Sequence, residues 1–163
     1  MENQIVIGND HGGYNIKLVL VDYLKSKSYE VMDVGSHELE IVRYPYYASR
    51  VAGAISADSA KRGILICSTG IGMSIIANKY KNVRASLCYS TYQARMTRAH
   101  NNSNILCLGG RCVGDLEALD ILEVWLTTEY EGGRHDISLG LIADCEAHHL
   151  SDVVWKPDIP NVQ

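Results

Sequence analysis

Several things are missing from this sequence of 163 residues, beginning with any excess of positive charge: 15 Lys and Arg stand against 19 Asp and Glu, a net charge of -4. A surface of that kind draws neither a nucleic-acid backbone nor an anionic lipid face, and neither is expected as a partner. No apolar run approaches the roughly 20 residues a membrane-spanning helix needs, and the opening MENQIVIGNDHGG lacks both the basic start and the apolar core of a secretory leader. A cytoplasmic protein is expected. CxxC pairs are missing too: the five cysteines, at 67, 88, 107, 112 and 145, are odd in number and lack the histidine spacing that would complete a zinc site. Structural disulfides and structural zinc are both disfavoured. Four of the five lie in or beside apolar runs, where a cysteine usually packs as a small buried hydrophobe. No repeat, low-complexity tract or linker divides the chain. One domain over residues 1–150 is expected, followed by an extended tail over 151–163 that carries Pro157 and Pro160.

What is present is an alternation. Short apolar, β-prone runs occur at 4–8 (QIVIG), 30–34 (EVMDV), 63–67 (GILIC), 84–88 (RASLC) and 104–108 (NILCL). Between the first two, Tyr14, Leu18, Val21 and Leu24 repeat at helical spacing, as do Ala48, Val51, Ala52 and Ile55 before the third. After the fifth run the chain reads helical from about 115 to 128 and again from the EYEGGRH segment to about 149. Apolar strands separated by helices predict a doubly wound α/β domain with a five-stranded parallel sheet covered on both faces. In such sheets ligands bind beyond the carboxyl ends of the strands. Asp10, His11 and Cys67 fall there; His100, just ahead of the fifth strand, does not.

The segment CSTGIGMSIIANK, residues 67–79, runs from a strand end through Gly70 and Gly72 into a helix. Exposed amides and a helix dipole at one spot suit an anion. The segment is no P-loop, for it lacks the GK[ST] ending, and it lacks the third glycine of a dinucleotide fingerprint; on the glycines alone a tight turn accounts for it. A cysteine beside a positive helix end is favoured as thiolate, so Cys67 is a candidate base or nucleophile, although a cysteine closing a buried strand also serves as plain packing. Thr69, Ser74 and Asn78 fit caps and turns as well as a site. Asp10 and His11 precede two glycines and can reach the same cleft, or simply form a turn. His100, with Asn101 and Asn102, fits a helix end as readily as catalysis. Arg111 and Arg134 suit bidentate phosphate binding, a role that solvated surface arginines also mimic.

Taken in order, GNDHGGYNIK, RYPYYA, GILICSTGIGMSIIANK, RAHNNSNILCLGGRCVG and TEYEGGRH resemble the successive signatures of the type B ribose-5-phosphate isomerases, a family that also includes galactose-6-phosphate and allose-6-phosphate isomerases. The resemblance spans residues 5 to about 135. It implies a flavodoxin-like, Rossmann-type domain that forms homodimers, with active sites shared between subunits and the pairing of dimers into tetramers undecided. It also implies that Cys67 shuttles a proton between C1 and C2 of a sugar phosphate. Thr69 would move protons between substrate oxygens, and Asp10, with His100 of the second subunit, would assist ring opening. Amides around Gly70, Gly72 and Ser74 would hold the enediolate, with Asn101 beside the substrate and His11, Arg111 and Arg134 at its phosphate. No metal or cofactor is called for.

Three positions depart from the family's pattern. Ser68 stands where relatives have glycine, Arg43 replaces an acidic residue, and Ser138 replaces a second arginine four residues after Arg134. The missing second arginine brings in a six-carbon sugar phosphate or unphosphorylated aldose as an alternative substrate, and Ser68 with Ser138 brings in a non-catalytic sugar-phosphate binding module. Arg43 is a candidate to compensate.

Overall fold

The computed structural model describes residues 3–149, so the tail expected over 151–163 lies outside the described residues. Strands and helices alternate as β1 (Gln4–Asn9), α1 (Tyr14–Ser26), β2 (Glu30–Asp33), α2 (Tyr44–Ser56), β3 (Arg62–Cys67), α3 (Ile71–Ala77), β4 (Ala85–Leu87), α4 (Thr91–Asn101), β5 (Ile105–Gly109), α5 (Asp115–Thr127) and α6 (Arg134–His149), with a single 3-10 turn at His11–Gly13. All pairings are parallel, in the order β2-β1-β3-β5-β4. The doubly wound α/β class is as expected. The last two strands are transposed relative to a simple run of strands, and burial explains it. All five residues of β5 are buried, whereas the three residues of β4 are only partly so, and the less apolar strand takes the edge.

Alternate residues of each central strand feed two cores. Ile5, Ile7, Ile64, Ile66, Leu106 and Leu108 pack under α1, α4 and α5, while Val6, Leu65, Cys67, Ile105 and Cys107 pack under α2 and α3. In α1 the buried face is Ile16, Lys17, Leu20, Val21 and Leu24; Leu18 of the expected stripe is 45% exposed. Lys17 takes part of the inward face because its ammonium finds partners there: it lies 2.9 Å from Asp33 and donates to the Ser36 carbonyl at 2.6 Å. Of the cysteines expected to pack, Cys88 and Cys107 are buried, but Cys112 and Cys145 are exposed, since both sit on surface segments beside the apolar runs rather than within them. Helix α6 buries none of its residues, and Ile137 and Leu141 stand 70% and 65% exposed.

The chain leaves β1 toward β2 on one side and returns to β3 on the other, across α2 on the opposite face. The carboxyl ends of β1 and β3 therefore form the topological switch point, where a crevice opens between diverging connections.

Candidate active site

Asp10 follows β1 and Cys67 ends β3, two adjacent strands tied where the Asp10 amide donates to the Ile66 carbonyl at 3.2 Å. Asp10 caps the 3-10 turn by accepting from the Gly12 amide at 2.8 Å. Burial pushes its carboxyl above the usual value, against the pull of the Gly12 amide, His11 and Arg111. His11 Nδ1 accepts from the Val42 amide at 3.3 Å, which makes Nε2 the ring's N–H donor.

The turn after Cys67 is shaped by Gly70, whose φ of 73° is a left-handed conformation that suits glycine. That turn folds the Gly70 amide back to donate to Cys67 Sγ at 3.1 Å. The Ser74 amide bonds the Gly70 carbonyl at 3.0 Å as the first full turn of α3 closes, and the Ile71 amide leans on Thr69 Oγ1 at 3.4 Å. Of the amides between 70 and 74 read as an anion cradle, those of Gly72 and Met73 thus precede the helix's own bonding. The Ser74 hydroxyl donates to the Ile71 carbonyl at 2.8 Å.

Ser68, one of the departures, lies against Gly12: a Cβ there would come within 2.1 Å of Ser68 Oγ, so the serine is accommodated because its neighbour has no side chain. Arg111 joins the same edge, its amide donating to the Ser68 carbonyl at 3.0 Å. Cys88 and Cys107 are buried in apolar surroundings that hold them as thiols, Cys88 being pushed up to about 12.

Two residues were not among the expected site residues. Tyr89 donates its hydroxyl to the Thr69 carbonyl at 2.6 Å; burial raises its phenol, with Cys112 and Cys67 adding to the effect. Its position just past the carboxyl end of β4 is the signal that places it. Tyr44, at the start of α2, lays its ring against Gly72.

The structure thus gathers Asp10, His11, Cys67, Thr69, Gly70, Gly72, Ser74 and Arg111 at the carboxyl edge of the sheet. It does not bring His100, Asn101 or Arg134 to them. Helix α4 ends at Asn101, before β5 begins, while Cys67 pairs with the last residue of β5. Four strand steps of ~3.3 Å put about 13 Å of sheet between the two ends. At the amino edge the rings of His100 and His135 stack at 4.2 Å, with Glu131 3.8 and 3.6 Å from their Nε2 atoms. Donor atoms of these three lie within 4.8 Å of one another. Parallel rings, though, aim their lone pairs side by side rather than at one point, and Arg134 Nε lies 3.5 Å from His135 Nε2, an arrangement poorly suited to a cation. Arg43 is exposed at the start of α2, one residue past the amide that holds His11, and Ser138 is exposed on α6. No helix among the described residues is long and apolar enough to cross a membrane.

A thiol at a strand end, a buried carboxyl after the adjacent strand and helix amides left over at the start of α3 are the kinds of group that proton transfer on a small oxygenated substrate uses. The sequence profile of the Ribose/Galactose Isomerase family matches residues 5–142, and this chain belongs to that family. Among its relatives is "Ribose-5-phosphate isomerase B" of Escherichia coli K12, 44% identical over 132 residues, which cover 81% of this chain and 89% of that one. The structure of Clostridium thermocellum Ribose-5-Phosphate Isomerase B superposes with a TM-score of 0.88 at 49% identity, covering 90% of this chain and 99% of the other. Ribose-5-phosphate Isomerase B from Mycoplasma genitalium, solved with bound ribulose-5-phosphate, gives a TM-score of 0.86 at 38% identity over 88% of this chain and 96% of that one.

Proposed function

We infer that this protein is an aldose–ketose isomerase interconverting ribose 5-phosphate and ribulose 5-phosphate through an enediolate. The observation that carries the reading is the Cys67–Gly70 turn beside Asp10, in a chain so close to a relative that binds ribulose-5-phosphate. Cys67 as thiolate takes the proton from C2 of the open-chain aldose and returns it at C1. As the carbonyl oxygen gains charge, the amides of Gly72 and Met73 hold it, each such donor lowering a barrier by roughly 3 kcal/mol in other enzymes. Thr69 passes the proton between the substrate's two oxygens. Asp10, whose buried carboxyl retains a proton more readily than an exposed one, suits the exchange at the ring oxygen that opens the sugar. No cofactor takes part.

His100, Asn101 and Arg134 enter through a second copy of the chain. Their position at the opposite edge from Cys67 supports a homodimer with shared sites, as do the exposed Ile137 and Leu141 of the otherwise uncovered α6. In that arrangement His11 and Arg111 of one subunit and Arg134 of the other hold the phosphate, and Arg43 stands close enough to His11 to add a cation where Ser138 supplies none. The protein would act in the cytoplasm.

The test is conversion of ribose 5-phosphate by the wild type and by Cys67→Ala, with exchange of the C2 proton into deuterated water followed in parallel. We expect a loss of about a thousandfold in a variant that melts like the parent. Wild-type turnover of six-carbon phosphates or free aldoses in preference to ribose 5-phosphate would overturn the substrate. Binding without proton exchange would overturn catalysis.

A further inference from the structure

The amino edge of the sheet holds a concentration of positive charge that the cleft does not use. Arg62 opens β3, Arg84 precedes β4 and Arg98 lies in the last turn of α4. With Lys61, Asn102 and Asn104 they line a cavity of about 600 Å³. The carboxylate in its wall, Asp58, is already paired with Lys61, and Glu146 acts on Arg84 from α6.

Part of each guanidinium has a structural task. Arg62 Nη1 donates to the Leu126 carbonyl at 2.8 Å, near the end of α5. Arg84 Nε donates to the carbonyls of Asn101 and Asn102 at 3.1 and 3.0 Å. Arg98 Nη1 donates to Asn102 Oδ1 at 3.0 Å and to the Ser103 carbonyl at 2.6 Å. Helix C-terminal carbonyls draw cations in this way. Yet these bonds engage one nitrogen of each guanidinium, and a guanidinium carries five N–H groups. Arg98 is only 8% exposed, and its buried Nε–H finds no acceptor among the described residues. A buried donor without a partner is costly, and Arg98, which carries this one, is itself among the residues that line the cavity. Burial and the fields of Arg62 and Arg84 also push Arg98 down to about 10, which leaves it charged at neutral pH. Between Arg62 and Arg98 the buried Trp125 ring lies 5.8 Å from each guanidinium carbon, which fixes their spacing.

We propose that this cavity binds the phosphoryl group of a small phosphorylated metabolite, at a site distinct from the Cys67 cleft. Guanidinium forks match phosphate oxygens in pairs, and the cavity has room for a sugar or a nucleoside beside the phosphate. Nothing in the site depends on the reaction proposed for the cleft.

Inorganic pyrophosphate is the first probe, titrated into the intact protein while the indole N–H resonance of Trp125 is followed by NMR, its identity fixed with Trp125→Phe. Saturable movement of that resonance is expected. Arg62→Gln, which removes a partly buried residue at the rim, is expected to weaken binding about tenfold, the typical cost of one charge-assisted hydrogen bond. Arg62→Lys is expected to recover only part of the loss, because it restores the charge without the fork. Because the cleft also faces a phosphate in the proposed function, Arg111→Gln serves as its control and should leave the Trp125 response unchanged. A Trp125 resonance that does not move, or one whose titration follows Arg111 rather than Arg62, would overturn the site. ADP in place of pyrophosphate then identifies the source: tighter binding points to a nucleotide, and equal binding to the phosphoryl group alone.

Discussion

The two edges of this sheet meet anions by different means. Every strand is parallel, so the carboxyl edge receives helix N-termini and the amino edge receives helix C-termini. At the carboxyl edge the backbone itself supplies donors: the Gly70 amide on Cys67 Sγ, the Gly12 amide on Asp10, and the unbonded amides at the start of α3. At the amino edge the backbone offers carbonyls, and positive potential has to come from side chains, as it does in Arg62, Arg84 and Arg98. Catalysis that stabilises a growing negative charge fits the first edge, because fixed amides need not reorganise. The second edge suits recognition by charge, and it also holds His100 and Arg134, which the reaction proposed for the first edge draws on. A parallel α/β domain cannot place both sets in one cleft by itself, whereas a symmetric pair of such domains can.

The largest effect follows from that division. Cys67→Ala and His100→Ala should each lower turnover by about a hundredfold or more on their own. Mixed under conditions that let subunits exchange, the two inactive proteins should recover about a quarter of wild-type activity. Random pairing makes about half the dimers mixed, and each mixed dimer has one intact site of two. No recovery, with exchange verified by mass spectrometry, would mean that His100 acts within its own chain or not at all.

A smaller effect tests the support under the carboxyl edge. Lys17 is fully buried and depends on Asp33, whose side chain is 24% exposed. Asp33→Asn should cost about 2 kcal/mol in urea unfolding, since it leaves a buried ammonium with weaker partners. Lys17→Met, which keeps the stem and removes the charge, should cost less. The reverse order would show that the Ser36 carbonyl alone satisfies the ammonium.

Lys17 also marks the limit of what a sequence displays. Alternating apolar runs predict the strands and the two covered faces, because burial of apolar surface dictates them directly. Spacing cannot foretell that a lysine will take a place on the inner face of α1 and leave Leu18 in solvent, because the deciding partner, Asp33, comes from the next strand. The same holds for the site. Asp10, His11 and Cys67 were legible as strand-end residues. Tyr89 also follows a strand, but its role was not legible, because its contact with the Thr69 carbonyl exists only once β4 has taken the sheet edge. The transposition of β4 and β5 depends in turn on relative burial, which motif spacing does not encode.

The smallest effect on stability concerns Asp10, where stability and activity should part. Its folded carboxyl lies above its ordinary value of 3.8, chiefly through burial. The folded state therefore binds this proton more tightly than the unfolded chain does. The resulting stabilisation is complete below about pH 3.8 and is lost as pH rises through the raised value; above that, the charged group is a standing cost to the fold. Asp10→Asn keeps a side-chain oxygen for the Gly12 amide and does not titrate. Unfolding curves of variant and wild type should converge toward the acid end and separate with rising pH, the variant becoming the more stable. Its turnover should meanwhile fall about a hundredfold, because asparagine cannot exchange the ring proton. A variant that is less stable at neutral pH would show that the Gly12 amide, His11 and Arg111 together outweigh the burial of the charge, and the carboxyl edge would then hold an anion of its own before any substrate arrives.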